Sequence, residues 1–215
     1  MSPPRVYLDT SVLKFSATRL PRLLPRNQRI NWGGRVHEIT VYESVYINPN
    51  LSIKNPGLKA EAELLPKLAE SGKLGQVSFV IQTETLVESW GLPKMDSTTG
   101  RFYGAPYQTV EAPIEYGRVV FGGPSDFKVL QFDFLVKLKS RRFLELQRFT
   151  GAYQGDRGQN RNQLLDAFHL WCAEYNRCDY FLTLDFKLIR MLRSRESAVR
   201  VRVVRPSELL AAVTG

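Results

Sequence analysis

Apolar positions along the chain fall into short runs and helical stripes that alternate. Arg5-Val6-Tyr7-Leu8 predicts a short strand ending at Asp9-Thr10-Ser11. Leu58, Ala62, Leu65, Leu68 and Ala69 line one side of a helix predicted over 58–71, with a kink at Pro66. The run Val77-Ser78-Phe79-Val80-Ile81 predicts a buried strand, and residues 84–90 a short helix after it. Helical spacing then covers 126–149 and 162–176. Tyr180-Phe181-Leu182 predicts a strand closing at Thr183-Leu184-Asp185; a short helix (186–194), a strand (199–204) and a helix from Pro206 complete the chain. Strands separated by helices imply a parallel sheet covered on both faces, an α/β fold built as a three-layer α/β/α sandwich. The 215 residues suit one enlarged domain.

Two segments interrupt this rhythm. In 16–55, Ile39, Val41, Val45 and Ile47 alternate with polar residues, and Trp32-Gly33-Gly34 supplies turn chemistry, so a β-hairpin is expected there. Residues 91–125 hold ten Gly or Pro residues and one strand-like stretch, Arg118–Phe121. A connection that long is usually functional or conceals further elements.

Composition narrows the partners. The net charge is +9, and it is unevenly spread: residues 1–55 carry 8 basic and 3 acidic groups, 56–125 carry 6 and 8, and 126–215 carry 16 and 10. An acidic middle between basic flanks suits a polyanion gripped around a central site, as it also suits an ordinary solvated surface. With 43% apolar residues the chain can build a core, and no stretch approaches the roughly 18 apolar residues of a membrane span. No membrane partner is expected. Cys172 and Cys178 are too few for a disulfide framework or a thiolate metal site. A reducing, cytoplasmic setting is the expectation.

The candidate chemistry lies in carboxylates. In a parallel α/β sheet, ligands gather beyond the carboxyl ends of the strands. Asp9 ends the first strand and Asp185 follows the strand at 180–183, so both project toward one rim; each is also a good helix N-cap. Asp166 sits on a helix that is apolar almost all round, where Leu164, Leu165, Phe168, Trp171, Cys172 and Tyr175 fill one broad face. Asn162, Asp166 and His169 form its single polar stripe, and a carboxylate there needs water, hydrogen bonds or a cation. The acidic middle offers Glu84 and Glu88, one turn apart; Thr85-Leu86-Val87-Glu88 also fits a capping box, and spacing does not choose between the two glutamates. Converging carboxylates repel one another, and hard oxygen donors suit Mg²⁺ or Mn²⁺, which activate water against a phosphodiester.

Taken together, Val6-Tyr7-Leu8-Asp9-Thr10-Ser11, Thr83 to Glu88, Asp166-Ala167-Phe168-His169-Leu170, Thr183-Leu184-Asp185 and the ending Pro206-Ser207-Glu208-Leu209-Leu210 resemble the PIN-domain ribonucleases. The likeness covers about residues 4–15, 58–90 and 126–213, and the segments 16–55 and 91–125 depart from it as insertions. It implies an acidic cluster of Asp9, Glu88, Asp166 and Asp185 holding Mg²⁺ or Mn²⁺, Thr183 as a supporting polar residue, and RNA as substrate. It further implies a metal-dependent endoribonuclease, toxin–antitoxin systems as a frequent context with a small antitoxin-like protein inhibitor, and dimerisation. The alternative is a non-catalytic module of the same fold that binds RNA or protein, its site covered by the insertions.

Phosphates need positive charge outside an acidic centre. Lys137, Arg141 and Arg148 fall on one stripe of the helix at 126–149; Lys187, Arg190 and Arg193 follow Asp185; Arg200 and Arg202 share a face of the last strand. Trp32, Tyr42 and Tyr46, interleaved with Arg29 and Arg35, suit either stacking on bases or packing within the hairpin. His169 reads as structural and stays outside the expected site; His37 has no identifiable partner. The chain lacks a P-loop or a dinucleotide-binding glycine motif, and position 11 is Ser where an aspartyl-phosphate mechanism uses a second Asp.

Overall fold

The computed structural model describes residues 2–90, 101–117, 124–153 and 160–214. Its centre is the expected parallel sheet: β1 (Arg5–Leu8), β4 (Ser78–Gln82), β5 (Tyr107–Val110), β6 (Tyr180–Leu182) and β7 (Arg202–Val204), in the order β5-β4-β1-β6-β7. Every adjacent pair is parallel. Period-two alternation divides the core between the two faces. Val6 and Leu8 pack on one side with Phe79, Ile81 and Leu182; Tyr7 packs on the other with Val80 and Phe181.

Helices cover both faces. The first layer holds α1 (Thr10–Ser16), α3 (Leu65–Lys73) and α9 (Pro206–Thr214); the second holds α6 (Arg141–Phe149) and α7 (Arg161–Tyr175). Helices α2 (Pro56–Glu63), α4 (Thr83–Trp90), α5 (Pro124–Lys137) and α8 (Phe186–Arg193) complete the chain. Apolar on nearly every side, α7 runs inside the second layer, where Phe168 meets Phe134, Phe143 and Trp171 edge-on.

Several elements differ from the sequence expectation. The kink at Pro66 is a full break between α2 and α3, because proline cannot donate to the preceding turn. The single helix expected over 126–149 is two, α5 and α6. Leu138 closes a tight turn onto the Leu135 carbonyl and Ser140 is extended at the α6 N-cap. No Gly or Pro marks that break, so helical periodicity ran through it. The stripe of Lys137, Arg141 and Arg148 therefore does not exist as one helical face: Lys137 ends α5, while Arg141 and Arg148 belong to α6. The strand expected over 199–204 is confined to Arg202–Val204, which leaves Arg200 outside it. Helix α1 and the edge strand β5 were not anticipated, and Arg118–Phe121 lies outside the described residues.

The hairpin is present and long. β2 (Leu20–Trp32) and β3 (Arg35–Ile47) pair antiparallel over 13 residues each. Gly33 and Gly34 turn it with φ of 62° and 74°, the paired left-handed conformation that a tight hairpin turn demands.

One close approach sets the spacing of the first layer. A Cβ on Gly72 of α3 would lie 2.4 Å from Cε2 of Phe79. Phe79 in turn meets Phe102 edge-on at 4.9 Å. Gly72→Ala is expected to destabilise the protein by about 1–3 kcal/mol through overpacking. Denaturant midpoints should show Gly72→Ala with Phe79→Leu costing less than the two single changes added.

Candidate functional site

Strands β4, β1 and β6 lie side by side, and their carboxyl ends deliver Thr83–Glu88, Asp9 and Thr183–Asp185 to the same edge of the sheet. From the second layer α7 adds Asp166 and His169. The polar stripe of this helix descends from exposed Asn162 through half-buried Asp166 to His169, which is 1% exposed.

Asp9 is the anchor. Its carboxylate accepts from Thr10 N at 2.8 Å, from the Ser11 hydroxyl, and from the Thr183 hydroxyl at 2.7 Å. Each hydroxyl has a second duty: Ser11 Oγ accepts from Leu184 N, and Thr183 Oγ1 from Asp185 N, both at 3.0 Å. Two short side chains thus clasp the turn after β6 to the carboxylate after β1. Asp185 caps α8, its Oδ1 accepting from Lys187 N at 2.8 Å and Leu188 N at 2.9 Å.

Glu88 and Glu84 occupy different networks. Glu88 accepts from the Thr10 hydroxyl and pairs with His169 Nε2 at 2.9 Å. The other ring nitrogen of His169, Nδ1, lies 3.0 Å from Tyr7 Oη and 3.3 Å from Thr85 Oγ1. Glu84 is fully buried and accepts from Tyr116 Oη at 2.9 Å and Gln131 Nε2 at 2.7 Å, in a cluster that also contains Gln82. The choice between the two that spacing left open thus falls on Glu88 as the neighbour of Asp9 and Asp166. His169, read from the sequence as structural, is buried with both ring nitrogens engaged and lines the acidic pocket beside Glu88. Thr10, Ser11, Tyr7 and Thr85 were assigned no role; short hydroxyl side chains at helix starts carry no signal beyond capping.

Charge in the pocket is unevenly compensated. Burial pushes the Asp166 carboxyl well up, and the charges of Asp9, Asp185 and Glu88 push the same way, with His169 opposing them. Among the described residues no hydrogen bond holds the Asp166 carboxylate. Burial also raises Asp9, although Ser11, His169 and Thr183 pull against it. Burial would raise Glu88 and lower His169, but their hydrogen bond and mutual attraction reverse both, leaving Glu88 depressed and His169 raised. As they stand, no three His, Cys, Asp or Glu side chains among the described residues meet around one point as metal ligands would. The donor set is nonetheless hard oxygen on fixed elements, the kind Mg²⁺ and Mn²⁺ prefer.

The expected basic residues divide. Lys187 and Arg190 are exposed on α8, next to Asp185. Arg193 is committed to Glu208 in an ion pair. Arg141, 95% exposed at its side chain, pairs with Glu145 at 3.4 Å, and Lys137 is exposed on α5. Both cysteines are free and buried, and burial lifts the Cys178 thiol to about 12, so neither is a nucleophile. Among the described residues no helix is long and apolar enough to cross a membrane. No protein-family model matches the chain, and no curated protein matches it in sequence.

The raised and depressed groups set a pH dependence with a definite sign. Asp166 and Asp9 hold protons in the folded state that the unfolded chain releases near pH 4, so their contribution falls as pH rises through the raised values. His169 acts the same way: its contribution is full below about pH 6.5 and is lost as pH rises through its raised value. Glu88 stabilises above its unfolded value and loses its contribution as pH falls. In EDTA the melting temperature should decline from about pH 6 to 9, and Asp166→Asn should raise it and flatten the decline. Thermal melts across that range check both.

Proposed function

We propose that the chain is a metal-dependent endoribonuclease of the PIN-domain type, hydrolysing RNA phosphodiesters at the pocket formed by Asp9, Glu88, Asp166 and Asp185. The observation that carries this reading is Asp166. It is a carboxylate in the single polar stripe of a largely buried helix, held by no hydrogen bond among the described residues, in the field of three other acids. Folding places it there at a cost to stability, as functional sites commonly do.

The chain's residues divide the work. Asp9 is held rigid by Ser11 and Thr183, and would present a fixed oxygen to Mg²⁺ or Mn²⁺. Asp166 would close on the ion from α7. Asp185 uses only Oδ1 in capping α8, which leaves Oδ2 for the same purpose. When bound, the ion supplies a water of lowered pKa and takes up charge on the phosphate. Glu88, fixed by His169 and Thr10, would complete the cluster or orient a water. Lys187 and Arg190 lie on the helix that Asp185 starts and would take adjoining phosphates of the substrate. Arg193 must first leave Glu208, and Arg141 stands apart from this surface, since its neighbour Arg142 is bonded to Glu174 at the end of α7 away from Asp166. Occurrence as the toxin of a toxin–antitoxin pair, inhibited by a small partner protein, belongs to this reading; so does a cytoplasmic location.

A second reading has one observation in its favour. The Asp9 carboxylate already accepts three hydrogen bonds, and among the described residues no three acids meet as ligands. A non-catalytic module that binds RNA or protein would need nothing more. Titrating single-stranded RNA with and without Mn²⁺ separates the two. For the enzyme, cleavage depends on Mn²⁺, stops in EDTA, and falls by at least about 10³-fold in Asp166→Asn and Asp9→Asn, while both variants keep the far-ultraviolet circular dichroism of the parent. Binding without cleavage, or cleavage unaffected by EDTA, sinks the nuclease.

A further inference from the structure

The β2–β3 hairpin is an arm without a cover. Its strands are exposed on both faces for almost their full length, roughly 43 Å at about 3.3 Å per residue. A two-stranded ribbon is marginal in water on its own. This one is not polar. On one face Leu20, Leu24, Ile30, Ile39, Val41 and Val45 alternate with Arg22 and Arg26 across the pair, and Trp32 at the tip is 76% exposed.

The two free edges of the arm are treated differently. Pro21 stands opposite Tyr46 and Pro25 opposite Tyr42. Proline has no N–H to give, so these are pairs whose backbone groups face away from the partner strand. Pro21 and Pro25 therefore blunt the outer edge of β2, the usual protection against a further strand. The same register turns the backbone groups of Val36, Glu38, Thr40, Tyr42, Ser44 and Tyr46 to the outer edge of β3. No proline lies between Arg35 and Ile47. One edge is closed and the other is open.

We propose that the open edge of β3 pairs antiparallel with β3 of a second copy of this chain, on a two-fold axis through Val41, to make a four-stranded sheet β2-β3-β3-β2. The proposal stands apart from the chemistry of the acidic pocket. A second copy fits because β3 is complementary to itself in that register alone over its whole length, Arg35 standing against the partner's Ile47. Val36 then faces the partner's Tyr46 and Thr40 the partner's Tyr42, aromatic against β-branched, a favourable cross-strand pairing. Glu38 faces the partner's Ser44 and Glu43 the partner's Ile39, so no like charges meet. A slip of one residue would set Glu38 against the partner's Glu43 and turn the faces over. Each Trp32 tip reaches the root of the other arm. Val36, Ile39, Tyr42, Tyr46 and Ile47, between 36% and 70% exposed on β3, are the apolar side chains that gain cross-strand neighbours at the new seam.

Light scattering on the full chain at about 1–100 µM should give twice the monomer mass. Ser44→Pro removes one outward N–H, as Pro21 and Pro25 do on β2, and should yield a monomer with unchanged circular dichroism. Val41→Cys places two thiols across a close non-hydrogen-bonded pair, about 4.5 Å between Cα atoms. Mild oxidation should join it into a covalent dimer, while Ile39→Cys dimerises without forming the cross-link. Cys172 and Cys178 are buried and do not compete. A parent chain that is monomeric at 100 µM overturns the proposal, as does a dimer that survives Ser44→Pro and gives no Val41→Cys cross-link. A monomer whose RNA affinity collapses on charge reversal of Arg22, Arg29 and Arg35 overturns it in favour of nucleic acid on the arm.

Discussion

The arrangement of the pocket depends on one buried carboxylate and the two hydroxyls that hold it. Asp9 ends the central strand, where desolvation disfavours its charge, and it is kept in place by Ser11 and Thr183. Those hydroxyls also accept backbone N–H groups from the turn leading into α8. The sheet edge, the α8 cap and the position of Asp185 are therefore tied to a single side chain. Replacing Asp9 by a residue of similar shape leaves the strand pairing intact; deleting it leaves two hydroxyls and the Thr10 N–H without their acceptor at the same edge.

A second tie balances the first. His169 sits among four acids, and its hydrogen bond and attraction go chiefly to Glu88, which raises the imidazole and lowers the carboxyl. Asp166 receives what remains, which is too little to bring it back to an ordinary carboxylate. The pocket is thus divided into a satisfied half, Glu88 with His169, Tyr7 and Thr10, and an unsatisfied half centred on Asp166. A divalent cation would act on the second half and leave the first nearly unchanged.

Much of the sheet was legible in the chain because period-two runs and helical stripes report burial directly. β1, β4 and β6 fall close to their expected positions, and the glycine pair in the hairpin turn has only one economical use. The failures have physical causes. The break at Ser140 leaves no composition signal, and β5 is an edge strand in a segment crowded with Gly and Pro. The acids were visible as candidates because carboxylates on apolar elements are costly. Their supports were not: Thr10, Ser11 and Thr85 look like any capping residue, and His169 acquires its meaning only when α4 and α7 are brought together in space.

The clasp between Asp9 and Thr183 joins positions 174 apart in the chain. On a ribosome the first strand emerges early and can pair with β4 long before β6 exists. Its other neighbour β6, with Asp166 ahead of it and Asp185 behind it, is made only after α5, α6 and α7, and the acidic rim is incomplete until then. Whatever reaction the rim supports is therefore withheld from the nascent chain by topology alone, with no inhibitor or pro-segment needed to keep a half-made molecule inert.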